Sequence, residues 1–64
     1  MPAFRAFYVG PRQSEGCQRG QSGFAWVDPM SGFPIYCFES DADGRIYYSA
    51  AHEVLTPAEF AARA

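Results

Sequence analysis

The sequence predicts a small α+β fold: a four-stranded antiparallel sheet with a short C-terminal helix packed on one face. Three observations predict it. Residues 23–49 hold three runs of aromatic and β-branched side chains separated by two turn signals. Residues 1–9 alternate in a way that suits one further strand. Thr56-Pro57-Ala58-Glu59 is a helix start. Residues 1–64 read as one small domain, with a long Gly/Gln/Arg loop over residues 10–22.

The first strand is MPAFRAFYV. Its alternation puts Phe4, Ala6 and Tyr8 on one face and Arg5, Phe7 and Val9 on the other. GPRQSEGCQRGQS follows, with three glycines and one proline. A loop of that length in a small domain is expected to be either functional or mobile. The second strand is Phe24 to Val27, ended by Asp28-Pro29-Met30-Ser31-Gly32. In that turn proline presets the backbone, and glycine supplies a positive φ near the end. The third strand, residues 33–38, divides Phe33, Ile35 and Cys37 from Tyr36 and Phe38. Pro34 has no N–H for a ladder, so it belongs at the start of this strand or on an unpaired side. Glu39-Ser40-Asp41-Ala42-Asp43-Gly44 forms the next turn, where Asp43-Gly44 is a hairpin signal. Residues 45–49 return with Ile46 and Tyr48 on one face and Tyr47 on the other.

Residues 50–55 fit either a helical turn or a continued strand. Thr56 then reads as an N-cap, Pro57 as the first helical residue and Glu59 as the capping-box partner. Leu55 and Phe60 are placed to form a hydrophobic staple, and Arg63 suits the negative end of the helix dipole. So short a helix, running to the end of the chain, must dock on the sheet through Phe60 to persist.

Size and composition narrow the functions. A 64-residue chain has little material to wall off a cleft, so a non-enzymatic role is expected. Pairing into a homodimer is one way for it to bury more surface. There are five Arg and no Lys, and the net charge is −2, which argues against non-specific nucleic-acid binding. The chain shows neither an apolar leader nor a run long enough to span a bilayer, so a cytoplasmic setting with Cys17 and Cys37 reduced is expected, and no membrane.

Chemical motifs fail one by one. Glu39, Asp41, Asp43, Gly44 and Ile46 follow the early positions of a calcium loop, but Ala50 stands where a bidentate carboxylate is needed. Two Cys and one His, widely spaced, do not make a zinc site. His52 is the single histidine, and nothing local pairs it with a nucleophile. The glycines lack the spacing of a phosphate loop. No catalytic residue, metal ligand or cofactor is therefore expected.

The charge is unevenly spread. The first twenty residues carry three Arg and one Glu, and the remainder carries six carboxylates against two Arg. Acidic groups beside aromatic ones suit docking on a basic protein surface, with rings supplying the affinity. The expected contact residues are Glu39, Asp41 and Asp43 as charges, with Tyr36, Phe38 and Tyr47 as anchors. Basic protein surfaces are commonly nucleic-acid grooves, which such carboxylates would fill in place of phosphates. In being compact, Lys-free and without catalytic motifs, the chain resembles the short inhibitors encoded by phages and mobile elements, anti-CRISPR proteins among them. That likeness is one of kind and transfers no residues. The expectation is a protein-binding inhibitor of a nucleic-acid-handling complex that does not itself touch nucleic acid. The competing expectation is a single-stranded nucleic-acid binder using Arg5, Arg12, Arg19 and the same rings.

Overall fold

Alternation along each strand builds a sheet that curls into a half-barrel. The computed structural model describes residues 2–63; the expectations that fell on Met1 and Ala64 lie outside it. Among the described residues there are five strands: β1 (Phe4–Tyr8), β2 (Ser22–Val27), β3 (Ile35–Ser40), β4 (Ile46–Ala50) and β5 (Val54–Leu55). All pairings are antiparallel, in the order β4-β3-β2-β1-β5. A short helix, α1 (Pro57–Ala62), follows.

The molecule is thus mostly β, with five strands where four were expected. The extra strand is β5, which pairs Leu55 with Phe7 and Val54 with Tyr8. Two residues are too few for alternation to register, so the sequence alone leaves residues 50–55 open. In the fold that stretch is divided. Ala50 ends β4, Ala51–Glu53 form a turn of 3-10 helix, and the last two residues are strand.

Strand register sorts the side chains. Phe4, Ala6 and Tyr8 share the inner face with Gly23, Ala25 and Val27, then Tyr36, Phe38 and Ser40, then Tyr47 and Ser49. Ala6, Tyr8, Ala25 and Phe38 are fully buried there, with Tyr47 and Val54 nearly so. Burying a ring of this size stabilises by about 2–3 kcal/mol relative to exposure. Small residues alternate with large ones, so the inner face can close around Tyr8 and Phe38, whose rings lie 5.9 Å apart. Gly23 marks the tightest point: a Cβ there would run into the Glu39 carbonyl and lie 2.9 Å from the Phe38 ring.

Residues 9–21 close the core from the open side. Cys17 is fully buried among the core residues. The loop is tied down by Gly20 N–H to the Tyr8 carbonyl at 2.7 Å and Tyr8 N–H to the Gln21 carbonyl at 2.9 Å. The Tyr8 hydroxyl donates to the Pro11 carbonyl at 2.6 Å. Ser22, read as loop from the sequence, is the first residue of β2.

Both turns of the meander form. Gly32 and Gly44 take φ of 72° and 71°, whereas Asp43 does not. The Asp28 carboxylate accepts from Met30 N–H and Ser31 N–H, each at 3.2 Å, and so holds the first turn. Pro34 precedes β3, as its missing donor requires. At α1 the capping box is complete: Thr56 Oγ1 accepts from Glu59 N–H at 3.2 Å, and Glu59 Oε1 accepts from Thr56 N–H at 2.9 Å. Phe60 docks the helix by stacking on Phe7, with ring centroids 4.3 Å apart. Phe7 points away from the core, so α1 covers the β1–β5 end of the outer face. Arg63 serves as the C-cap.

Candidate functional site: the outer face of the sheet

The even-numbered residues of β2 and β4 meet the odd-numbered ones of β3 on the outer face. One cross-strand row reads Arg5, Phe24, Glu39, Ile46; the next reads Trp26, Cys37, Tyr48. Among the described residues no element lies across this part of the sheet, since α1 sits at the β1–β5 end; Cys37, in the second row, is buried beneath its neighbours. Phe24 is 40% exposed, Ile46 56% and Tyr48 63%. Phe33 and Met30, from the turn leading into β3, add exposed apolar surface, at 75% and 92%. Large apolar side chains exposed together on one sheet face are candidates for an interaction surface.

The exposed rings therefore differ from those expected to serve as anchors. Phe38 and Tyr47 lie on the inner face, fully and almost fully buried. Tyr36 is half-buried on the same face, edge-on to Phe4 at 6.1 Å. The reason is register. Val27, Ala25 and Gly23 face Tyr36, Phe38 and Ser40, and the small side chains leave room for the large ones. From the sequence both faces of the meander carry rings. Which face turns inward is decided by β1 and by residues 9–21, whose pairing no local pattern reveals. The signal that could have found it is the run of small residues Ala6, Gly23 and Ala25 on β1 and β2, with Ala6 opposite Gly23, which leaves room on that face for the rings of Tyr8 and Phe38.

Of the acidic residues expected to bind, Glu39, Asp41 and Asp43 lie around the β3–β4 turn, and Asp41 and Asp43 are engaged within the chain. Asp41 accepts from the Arg5 guanidinium at 2.8 Å and from the Ser22 hydroxyl at 2.8 Å, and both hold its carboxyl below the usual range. Asp43 accepts from Arg45 N–H at 2.9 Å and from the Tyr47 hydroxyl, and is likewise depressed, chiefly by the Tyr47 bond. The same bond raises the Tyr47 phenol. Glu39 stands half-buried on the outer face, directly between Phe24 and Ile46. Arg5 lies 4.7 Å above the centre of the Phe24 ring while paired to Asp41, so its charge is already met.

The two thiols lie on opposite faces of the sheet and are free. Burial raises both, Cys17 to about 11. That is the reverse of an activated nucleophile. His52 is exposed on the 3-10 turn. Among the described residues no three His, Cys, Asp or Glu side chains are grouped to hold a metal. No helix is long and apolar enough to cross a membrane. A groove of about 400 Å³ runs beside β4, lined by Gln13, Glu15, Ile46, Tyr47 and Tyr48.

The geometry defines a small, mostly β domain: a five-stranded antiparallel curled sheet with a short C-terminal helix. Comparison of the chain with protein-family models, with curated proteins and with solved structures finds no match.

Proposed function

We propose that the chain is a non-enzymatic protein-binding module that docks the outer face of its sheet on a partner whose surface is basic around an apolar centre. In its most concrete form it is a small inhibitor covering a nucleic-acid-binding groove, acting in a cytoplasm where both thiols stay reduced. The observation that carries this reading is the uncovered row of Phe24, Glu39 and Ile46 beside Tyr48. Rings and a branched side chain supply area at low entropic cost, and a carboxylate among them selects for a cation. Asp41 and Asp43 border the same end of the sheet and extend the acidic field.

The nucleic-acid alternative is less well supported by the same face. Phe24 and Tyr48 are exposed enough to stack on bases, but Arg5 is neutralised by Asp41 and Glu39 sits among the rings, where a phosphate would approach.

The test is capture from host lysate by immobilised protein, comparing the native chain with Phe24→Ser/Tyr48→Ser. The reading expects a captured protein that the double variant loses, and no retention of either on single-stranded DNA at low salt. Equal capture by the two, or retention on the DNA that fades as salt rises, contradicts it.

A further inference from the structure

β4 is an edge strand, and its outward groups are only partly met. Ladder directions alternate, so Tyr47 and Ser49 bond to β3, while Ile46, Tyr48 and Ala50 turn their N–H and C=O groups away from the sheet. Two of these outward groups are satisfied by side chains. Gln13 Nε2 donates to the Tyr48 carbonyl at 2.9 Å, and Glu53 Oε1 accepts from Ala50 N–H at 3.0 Å. The Ile46 N–H and carbonyl and the Tyr48 N–H have no protein partner among the described residues. The groove beside β4 is the space in which a neighbouring strand would lie, and Gln13 stands in it as a one-bond substitute for such a strand.

The two sides of this edge differ. On the outer side are the exposed side chains of Ile46 and Tyr48. On the inner side Glu15 lines the groove, with Asp43 beside Arg45 towards one end of β4 and Glu53, bonded to Ala50 N–H, at the other. A strand added here would present alternate residues to an apolar strip and to an acidic rim.

We propose that the β4 edge accepts an extended segment of a partner protein in which apolar and basic residues alternate, adding it as a sixth strand and displacing the Gln13 amide from the Tyr48 carbonyl. This rests on the reading of the chain as a protein-binding module and names the kind of partner segment it takes. Main-chain bonds to Ile46 and Tyr48 set the register. The alternation of sides selects the sequence.

The probe is the capped peptide Arg-Val-Arg-Val-Arg, titrated to millimolar concentration into ¹⁵N-labelled native protein. Two further copies carry N-methyl groups on the odd or on the even residues. The expected result is saturable shifts at the Ile46 and Tyr48 amides, slowed exchange of both N–H groups, and loss of binding by at least tenfold for one N-methyl copy but not the other. Glu15→Gln weakens binding several-fold, and Glu-Val-Glu-Val-Glu does not bind. Absence of saturable shifts, equal binding by the two N-methyl copies, or shifts centred away from β4 overturns the proposal. Phe24→Ser, two strands in from the edge, separates the claims. It lowers capture of the whole partner while leaving peptide affinity unchanged. If the peptide fails while Phe24→Ser still lowers capture, the strand-addition claim falls and the docking face stands. If the peptide binds while capture ignores Phe24, the docking face falls instead.

Discussion

Gly23 shows how one residue can hold the inner face at its present curvature. Any side chain there meets backbone, the Glu39 carbonyl, which cannot swing aside as a side-chain tip could. Gly23→Ala is therefore expected to destabilise by about 2–3 kcal/mol, the upper range for overpacking, read as a lowered urea midpoint at unchanged slope. Titrating side chains give a second prediction. Asp28, Asp41 and Asp43 all have depressed carboxyls in the fold, from hydrogen bonds to Ser31 and Met30, to Arg5 and Ser22, and to Tyr47 and Arg45. Their contribution is present above the unfolded carboxylate range, near pH 4, and is lost as pH falls through the lower folded values. Cys17 works in the opposite direction. Burial favours its neutral thiol, so that contribution is complete below about pH 9 and is lost as pH rises towards about 11. Thermal melts across pH should be flat in the neutral range and fall on both sides, with Asp28→Ala flattening the acid limb and Cys17→Ala the alkaline one. An acid limb unchanged by Asp28→Ala would contradict the assigned role of its turn bonds.

Elements differ in how plainly the sequence announces them. The α1 start was fully legible, because Thr56, Pro57 and Glu59 act locally and their bonds form as their spacing requires. So were the existence of the three meander strands and the two glycine turns, although β3 runs over Ile35–Ser40 instead of residues 33–38, starting after Pro34, which has no N–H for the ladder. What docks the helix was half legible. Phe60 was the evident side chain, but its partner Phe7 lies fifty-three positions away in the chain and on the face opposite the core. The fifth strand was hidden because two residues carry no period, and the burial of Cys17 because it sits among Gly, Gln and Arg. Thr56→Ala is expected to cost about 1 kcal/mol. Since α1 contributes little core, the loss should be seen as faster amide exchange in residues 57–62, with a small change in melting temperature. Phe60→Ala removes a stacked pair worth about 1 kcal/mol beyond its area and should release the helix while the meander amides stay protected. Coincident loss of protection in β2 and β3 would show that the helix is part of the cooperative core.

At the scale of the whole molecule, the sheet separates two sets of rings by burial. Inner rings hold the fold, and Phe38→Ala is expected to cost about 3–5 kcal/mol. Phe24 and Tyr48 are the exposed outer rings, at 40% and 63%, so Phe24→Ser and Tyr48→Ser should each cost only on the order of 1 kcal/mol, well below the loss at Phe38. The candidate site was legible in part. That acids and aromatics share one end of the sheet follows from the turn sequence. Which rings face water depends on the closure of the inner face by residues far apart in the chain. The most direct test of the docking face is hydroxyl-radical footprinting of the protein alone and bound to the partner it captures. Phe24, Ile46 and Tyr48 should oxidise readily in the free protein and be protected in the complex, with Phe38 and Tyr47 silent in both. Protection elsewhere, with those three still oxidised in the complex, would contradict the account.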